Sequence, residues 1–539
     1  MKYMEYILGI NACFTSNHHD PSVALLKNGK PIFALEEERL NRNKTSSGMF
    51  PVYAMQKALK SEGINIQDIS KIGVPGITAQ DLISKIKRII LHYFDYCPEI
   101  SIFHHEHCHA AGAHFSSGFE TSNAIALDGY GDKSSGCKLY IDKGRITEAN
   151  DYKVDQSLGL FYGIFTEYLG FKRAEGEFKV MGMAAYGTTR YDLSEFFDKR
   201  FQADKITNYI NKDAKITSLC EPYYLEEELK KVIKNLPQRR LPGGEFTQEH
   251  FDLAASVQEF FQISYKKIVQ DAVEESGNSL VTLSGGCALN CLANSELMGA
   301  EWLDDFYIQP AASDRGLSLG AAYLACHEAG VAAKPCTDMY LGMRYTPEEI
   351  RQTLETAGVR YRESADIYQY TSEMISEGAI IGWFQGRSEF GPRALGSRSI
   401  LADATSKGIK DKINSKIKFR ESYRPFAPIV SSNFTKKMSL KKKLEHMTVA
   451  VFPERSMFKE FGDTIHADGS TRIQEVDPGG CNEINKLVHC YERKGGSALV
   501  NTSFNLAGEP LVEHPRDALR TFHACGIDKL VMGPFIVEK

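Results

Sequence analysis

Ala124-Ile125-Ala126-Leu127-Asp128-Gly129-Tyr130-Gly131-Asp132 is an apolar strand ending on an acidic, glycine-rich tip. Lys138–Ile141 and Arg145–Glu148 then flank the tight turn Asp142-Lys143-Gly144, so the strand leads into a hairpin. The same plan stands earlier in the chain. Tyr6–Asn11 is an apolar run with a polar end, and Ser22–Leu26 and Pro31–Glu36 flank Lys27-Asn28-Gly29-Lys30. Asn-Gly between apolar runs favours a hairpin because both residues tolerate the left-handed backbone of a tight primed turn. A strand with a polar tip followed by a hairpin, present twice, reads as an internal duplication.

Outward from this pair, helical patterning fills the middle of the chain, as in Asp252–Glu274. The strand Ser279–Leu283 leads into Ser284-Gly285-Gly286-Cys287-Ala288-Leu289-Asn290. A strand, a Gly-Gly turn and a helix start bring backbone close to phosphate or adenosine. The expectation is an α/β chain whose N-terminal part is actin-like, a duplicated ribonuclease-H-type arrangement. The pattern breaks near Ala333-Lys334-Pro335, and Thr346 with Glu349 forms a capping box with Pro347 at the first helical position. A domain boundary is placed near residue 345, giving 1–345 and 346–539, and a fresh strand is expected at Ala379–Phe384.

At 539 residues the chain is too long for one core. Its net charge of −5 gives no global reason to expect a nucleic-acid partner, so an anion site must be a local basic cluster. No apolar stretch is long enough for a membrane span. The 12 cysteines form no C-x-x-C pair, which disfavours a disulfide scaffold or zinc ribbon and suggests a reduced, cytoplasmic protein.

Five clusters carry chemistry. In His104-His105-Glu106-His107-Cys108-His109, His105 and His109 stand one helical turn apart and can share a metal, with Asp128 as a further ligand. The literal H-E-x-x-H match also raises a zinc protease, whereas His104, His107 and His114 read as a surface histidine run. His18-His19-Asp20 offers a general base for a hydroxyl, or simply a polar turn. Asp314, after the strand Phe306–Gln309, is a candidate metal ligand or nucleotide contact. The nearby Gly316-Leu317-Ser318-Leu319-Gly320 matches G-x-S-x-G by chance, because its serine lies in a packed apolar run.

From Gly386 to Arg424 there are ten Lys/Arg against four Asp/Glu, a local basic excess on an acidic protein. Gly and Pro between the arginines of Gly386–Ser399 indicate a rigid loop suited to bidentate phosphate contacts. Asn501-Thr502-Ser503-Phe504-Asn505, expected just after the strand Ala498–Val500, presents hydroxyls and amides to a phosphate or carbonyl. No Walker-type loop occurs, so ATP is not held by a P-loop.

Taken in order, these segments resemble the NodU/CmcH family of O-carbamoyltransferases. The matching stretches include Gly9-Ile10-Asn11, His19-Asp20, Glu36–Arg39 through Lys44, His105-x-x-x-His109, and Asp128-Gly129-x-Gly131-Asp132. Lys179–Gly182, Ala185-Tyr186-Gly187, Ser284-Gly285-Gly286, Asp314-x-Gly316, Gly386–Arg398, Arg424–Pro428, His466-x-Asp468-Gly469 with Arg472, and Asn501–Asn505 follow.

The resemblance implies a TsaD-like, actin-type N-terminal domain and a YrdC-like C-terminal one. It implies that the latter makes carbamoyladenylate from carbamoyl phosphate and ATP with Mg2+, and that Arg393, Arg398, Lys418, Arg424, Arg472, Ser503 and Asn505 bind these substrates. It further implies that Lys418 and Arg424 act in catalysis and that Lys44, Gly285, Gly286 and Asn290 hold the adenylate in the N-terminal domain. His105, His109, Asp128 and Asp314 would bind a divalent transition metal, Fe2+ by resemblance, and His19 would deprotonate a hydroxyl-bearing small-molecule acceptor. Nucleic acid and membrane are not expected partners; a homodimer is allowed, and the oligomeric state is left open. The alternatives are a tRNA threonylcarbamoyladenosine-type modifying enzyme and a non-catalytic actin-like nucleotide-binding protein.

Overall fold

The computed structural model describes residues 5–14, 18–154, 157–193, 229–230, 233–440 and 442–539. They form mixed α/β sheets in two compact units: Met1–Val74, Ile83–Ser101 and Leu317–Lys539 in the first, Pro75–Leu82 and Ile102–Gly316 in the second.

One five-stranded sheet contains β1 (Tyr6–Asn11), β2 (Ser22–Lys27), β3 (Lys30–Glu36), β4 (Ile69–Pro75) and β5 (Glu99–Phe103), in the order β3-β2-β1-β4-β5. β1 runs antiparallel to β2 and parallel to β4, and β2 runs antiparallel to β3. The hairpin turn at Asn28 (φ 49°) and Gly29 (φ 76°) has the left-handed pair that Asn-Gly supplies.

Another five-stranded sheet contains β6 (Thr121–Gly131), β7 (Ser134–Asp142), β8 (Arg145–Lys153), β9 (Leu280–Ser284) and β10 (Asp305–Ile308), in the order β10-β9-β6-β7-β8. Read from the hairpin side, this is the order of the first sheet. β6–β7 and β7–β8 are antiparallel and β6–β9 is parallel, again as in the first. The internal duplication read from the sequence is therefore present strand for strand. The His105–Ser117 helix packs on β6, β7 and β9, and the Gln248–Ser276 helix extends the expected Asp252–Glu274 at both ends.

The chance nature of the G-x-S-x-G match is also confirmed. Ser318 is fully buried in the Leu317–Glu328 helix, and its hydroxyl accepts from Ser22 Oγ at 2.8 Å. No nucleophile elbow exists there.

The eight-stranded third sheet is built from β11 (Tyr361–Glu363), β12 (Ile381–Phe384), β13 (Arg398–Asp403), β14 (Ala427–Ser431), β15 (Gln474–Val476), β16 (Leu499–Ser503), β17 (Lys529–Met532) and β18 (Phe535–Val537). Its order is β11-β18-β17-β12-β13-β16-β14-β15. Ile381, Trp383, Leu401, Val531 and Ile536 meet Ile375 and Leu487 in one buried cluster. Burying an aliphatic side chain of this size contributes roughly 1.5–3 kcal/mol, so this cluster is the main glue of the sheet. The capping box forms as expected: Thr346 Oγ1 accepts from Glu349 N–H at 3.2 Å, and Glu349 Oε2 accepts from Thr346 N–H at 2.8 Å. One expectation needs correction, since Asn501–Ser503 lie within β16 rather than after it, held by pairing with β13.

Candidate functional site

The second unit brings His105, His109, Asp128 and Asp314 together, each offering one ligand atom within 4.8 Å of the others. The two histidines share one face of their helix, Asp128 sits on the tip of β6, and Asp314 opens a short helical turn. His105 Nε2 lies 3.7 Å from Asp128 Oδ2 and 3.6 Å from Asp314 Oδ1; His109 Nε2 lies 4.0 and 3.4 Å from the same atoms. Both imidazole nitrogens are buried and make no hydrogen bond.

Four ligands on a divalent ion at about 2.0–2.2 Å would stand about 3.3–3.5 Å apart, close to what is observed. Two imidazoles and two carboxylates suit a borderline transition metal such as iron or zinc better than calcium or magnesium. Burial opposes a charge on His105, but Asp128 and Asp314 outweigh it and raise its pKa well above the usual range. Asp128 is in turn held below its ordinary value: burial and the neighbouring Asp314 push it up, but His105 and His109 together pull it down further. The residues fit a cation.

Supporting contacts fix this geometry. Asp132 accepts from the backbone N–H groups of His105, Ile77 and Thr78 at 2.8, 3.0 and 3.0 Å, anchoring the helix start. Asp128 Oδ1 accepts from Gly286 N–H at 2.8 Å. Gly285 is required where it stands: its φ is +80°, and a Cβ would meet Leu127 O at 2.2 Å. A side chain at Gly131 would likewise strike the His105 ring, at 2.2 Å. Asn290, expected at the adenylate, instead caps the Cys291–Ser295 helix and exchanges hydrogen bonds with Gln258.

Glu106 speaks against the zinc-protease reading. Its carboxyl oxygens are buried without a hydrogen-bond partner in the protein, and burial raises its pKa well above the ordinary range, unlike an ionised general base that faces solvent. His114, expected in a surface histidine run, is instead buried: its Nδ1 shares a 2.8 Å hydrogen bond with Ser122 Oγ, and burial lowers its pKa to about 4.

The first unit holds a separate cationic site. Lys418 ends a single π-helical turn, Asn414–Lys418, a geometry often found at functional positions. Its ammonium is buried and donates to Ser503 O, to Ser503 Oγ at 3.2 Å, to Asn505 O at 3.2 Å and to Asn505 Oδ1 at 2.8 Å. All of these acceptors are neutral. Burial, then Arg420, Arg424 and Lys44, push its pKa well below the usual lysine range. Arg420 and Arg424 are lowered by burial too, and Arg472 adds to the repulsion on both. Glu421, 3.6 Å from Arg424, offsets part of this charge. Mutually repelling cations in a partly buried site are suited to an anion.

Arg398, expected among the anion ligands, is fully buried. Its guanidinium stacks on Phe384 at 3.8 Å and donates to the carbonyls of Gln385, Met343, Gly386 and Ser397. It lies 3.9 Å from the buried Glu513, so it is a scaffold residue. Arg387 likewise donates to Gly342 O and Ile32 O at 3.0 and 2.8 Å. Arg393 remains partly buried in the same loop.

Glu389 shapes this loop, its Oε1 accepting from the N–H groups of Leu395, Ser397 and Arg398 at 2.8, 2.7 and 3.1 Å. Arg39 donates to Gly391 O at 2.7 Å, and Glu36 accepts from Gly391 N–H at 2.8 Å. The Glu36–Arg39 segment therefore clamps the arginine loop. In the same unit, His19 Nδ1 lies 3.3 Å from Asp20 Oδ2, and Asp20 is buried at φ 59°.

Sequence reasoning omitted Arg420 from the ligands and left Glu36, Glu389 and Glu513 without roles. Arg420 had a signal in the Lys418-x-Arg420 spacing; the buried glutamates had none, because pairing across the fold decides their function.

The chain belongs to the NodU/CmcH carbamoyltransferase family: residues 76–323 match the Carbamoyltransferase N-terminus family and residues 372–539 the Carbamoyltransferase C-terminus family. It is similar to the nodulation protein NolNO of Sinorhizobium fredii, 32% identical over 97% of this chain and 79% of that one. It is also similar to the protein sll1178 of Synechocystis, 30% identical over 99% and 97% of the two chains. The 3'-hydroxymethylcephem-O-carbamoyltransferase of Streptomyces clavuligerus is 30% identical over 47% of each chain. Among the described residues, no helix is long and apolar enough to cross a membrane.

Proposed function

We propose that this carbamoyltransferase activates carbamoyl phosphate with ATP, forming carbamoyladenylate, and transfers the carbamoyl group to a hydroxyl of a small natural-product or sugar-like acceptor. The observation that carries the reading is the buried Lys418 ammonium, bonded to neutral oxygens and crowded by arginines. A carbamate is a poor acyl donor, and attachment to AMP supplies a good leaving group.

In the first half-reaction, water cleaves carbamoyl phosphate to carbamate and inorganic phosphate, and a carbamate oxygen then attacks the α-phosphorus of ATP as the bond to the departing pyrophosphate breaks. Mg2+ accompanies the nucleotide. Lys418, Arg424 and Arg420, with Arg393 and Arg472, neutralise the phosphate oxygens as charge develops. Ser503 and Asn505 position the Lys418 ammonium, and Lys44, within its electrostatic reach, adds to the same field. The eight-stranded sheet, confined to residues after 345, supports reading 346–539 as YrdC-like, and the duplicated five-stranded sheets support reading 1–345 as TsaD-like, although the compact units join 317–539 to 1–74 and 83–101.

In the second half-reaction, the acceptor oxygen attacks the carbamoyl carbon and AMP departs. His19 takes the hydroxyl proton on its outer nitrogen while Asp20 fixes the ring through Nδ1. His105, His109, Asp128 and Asp314 would hold a divalent ion, iron by family resemblance, that acts as a Lewis acid towards carbonyl and phosphate oxygens. The Gly285-Gly286 turn fixes Asp128 for that role. The described cysteines are free thiols, which supports a cytoplasmic setting.

The test is to incubate the protein with ATP and carbamoyl phosphate labelled at the carbamoyl carbon, then separate nucleotides rapidly. Label comigrating with AMP is expected. Label remaining wholly in carbamoyl phosphate and carbamate would refute the adenylate.

A further inference from the structure

The helix that carries His105 and His109 presents another pair of imidazoles. His107 lies two residues from each of them, about 200° around the helix, and therefore faces away from the first centre. His104 stands at the N-cap of the same helix, and the two rings are 4.7 Å apart between centroids. Both address one carboxylate of β8: His107 Nε2 lies 3.2 Å from Asp151 Oδ1, and His104 Nε2 lies 3.9 Å from Asp151 Oδ2. The three ligand atoms fall within 4.8 Å of one another. A tetrahedral zinc-type ion separates its ligands by about 3.3–3.5 Å, so small rotamer shifts suffice.

A simple surface pair would account for His107 with Asp151, but not for a second imidazole aimed at the same carboxylate. We propose that His104, His107 and Asp151 bind a second divalent transition metal ion, with water completing the coordination. Asp151 is exposed enough to leave that open position, its side chain being 44% accessible.

Binding has a structural consequence. His104 Nδ1 now accepts from Glu106 N–H at 3.3 Å, which places the neutral ring's proton on Nε2. Coordination through Nε2 moves that proton to Nδ1 and breaks this long cap bond. The outer ion is therefore held more weakly than one at the inner centre, and its binding loosens the first turn of the helix that carries His105.

Metal-stripped full-length protein is titrated with Co2+, followed by visible absorption and equilibrium dialysis. Two classes of site are expected. His107→Ala and Asp151→Asn should each weaken the looser class at least tenfold while the tighter class persists. His109→Ala, which removes an inner ligand, should abolish the tighter class and leave the looser one. A single class that His109→Ala abolishes and that His107→Ala and Asp151→Asn leave intact, or a looser class that survives both His107→Ala and Asp151→Asn, would overturn the outer site. A looser class without any tight one would confirm the outer site and count against the inner centre alone.

Discussion

Lys418 Nζ donates to Asn505 Oδ1 at 2.8 Å, and every hydrogen-bond acceptor it reaches is a neutral oxygen. With Arg420 and Arg424 nearby, burial depresses its pKa well below the lysine reference of 10.5. Between that depressed value and 10.5 the ligand-free fold holds fewer protons than the unfolded chain, so this residue's contribution to stability rises with pH across the window. A bound phosphate favours the ammonium and draws a proton back. Calorimetry of ATP binding in buffers of differing ionisation enthalpy should show proton uptake in this window, absent in Lys418→Met. Binding heats that track no buffer difference would contradict it.

His109→Ala and Asp314→Asn each remove one ligand of the inner centre. Both variants should lose bound metal and slow carbamoyl transfer by ~100-fold or more, the scale of Lewis-acid stabilisation. Pyrophosphate release should persist, because the Lys418 site is built from other residues. Equal loss of both half-reactions would argue against this division of labour.

Arg398 and Arg393, five positions apart in one loop, should behave differently. Truncating fully buried Arg398 strands Glu513, 3.9 Å away, together with several carbonyls. Breaking such a pair costs about 3–5 kcal/mol, so Arg398→Ala should lower Tm by several degrees. Arg393→Ala should lower Tm less than Arg398→Ala does and raise KM for carbamoyl phosphate. A melting curve and a substrate titration on each variant decide it.

Much of this was legible in the sequence, for reasons the fold makes plain. The Asn28-Gly29 and Lys143-Gly144 turns depend on local backbone preference, and both hairpins formed where expected. His105 and His109 are set by helical spacing, which is equally local. The burial of Arg398 was not legible, because a basic loop and a buried arginine look alike until Phe384, Gln385 and Met343 close around it. The pairing of Asn290 was hidden for the same reason, its partner Gln258 lying on a distant helix. Asn501–Ser503 were placed outside the strand because polar side chains hid backbone pairing with β13.

Gly285→Ala tests how the Gly-Gly turn supports the metal centre. The new methyl would lie 2.2 Å from Leu127 O at a φ of +80°, so the turn must move. Strain of this kind costs on the order of 1–3 kcal/mol. Displacement of Gly286 N–H from Asp128 should also weaken metal retention, measured by dialysis against a chelator. Unchanged Tm and retention would show that the turn is not under this constraint.

The most direct test of carbamate adenylation is pyrophosphate release from ATP, measured with and without carbamoyl phosphate. Release that requires carbamoyl phosphate and vanishes in Lys418→Ala, while that variant keeps its Tm, is the expected result. Release independent of carbamoyl phosphate, or undiminished in Lys418→Ala, would contradict the account.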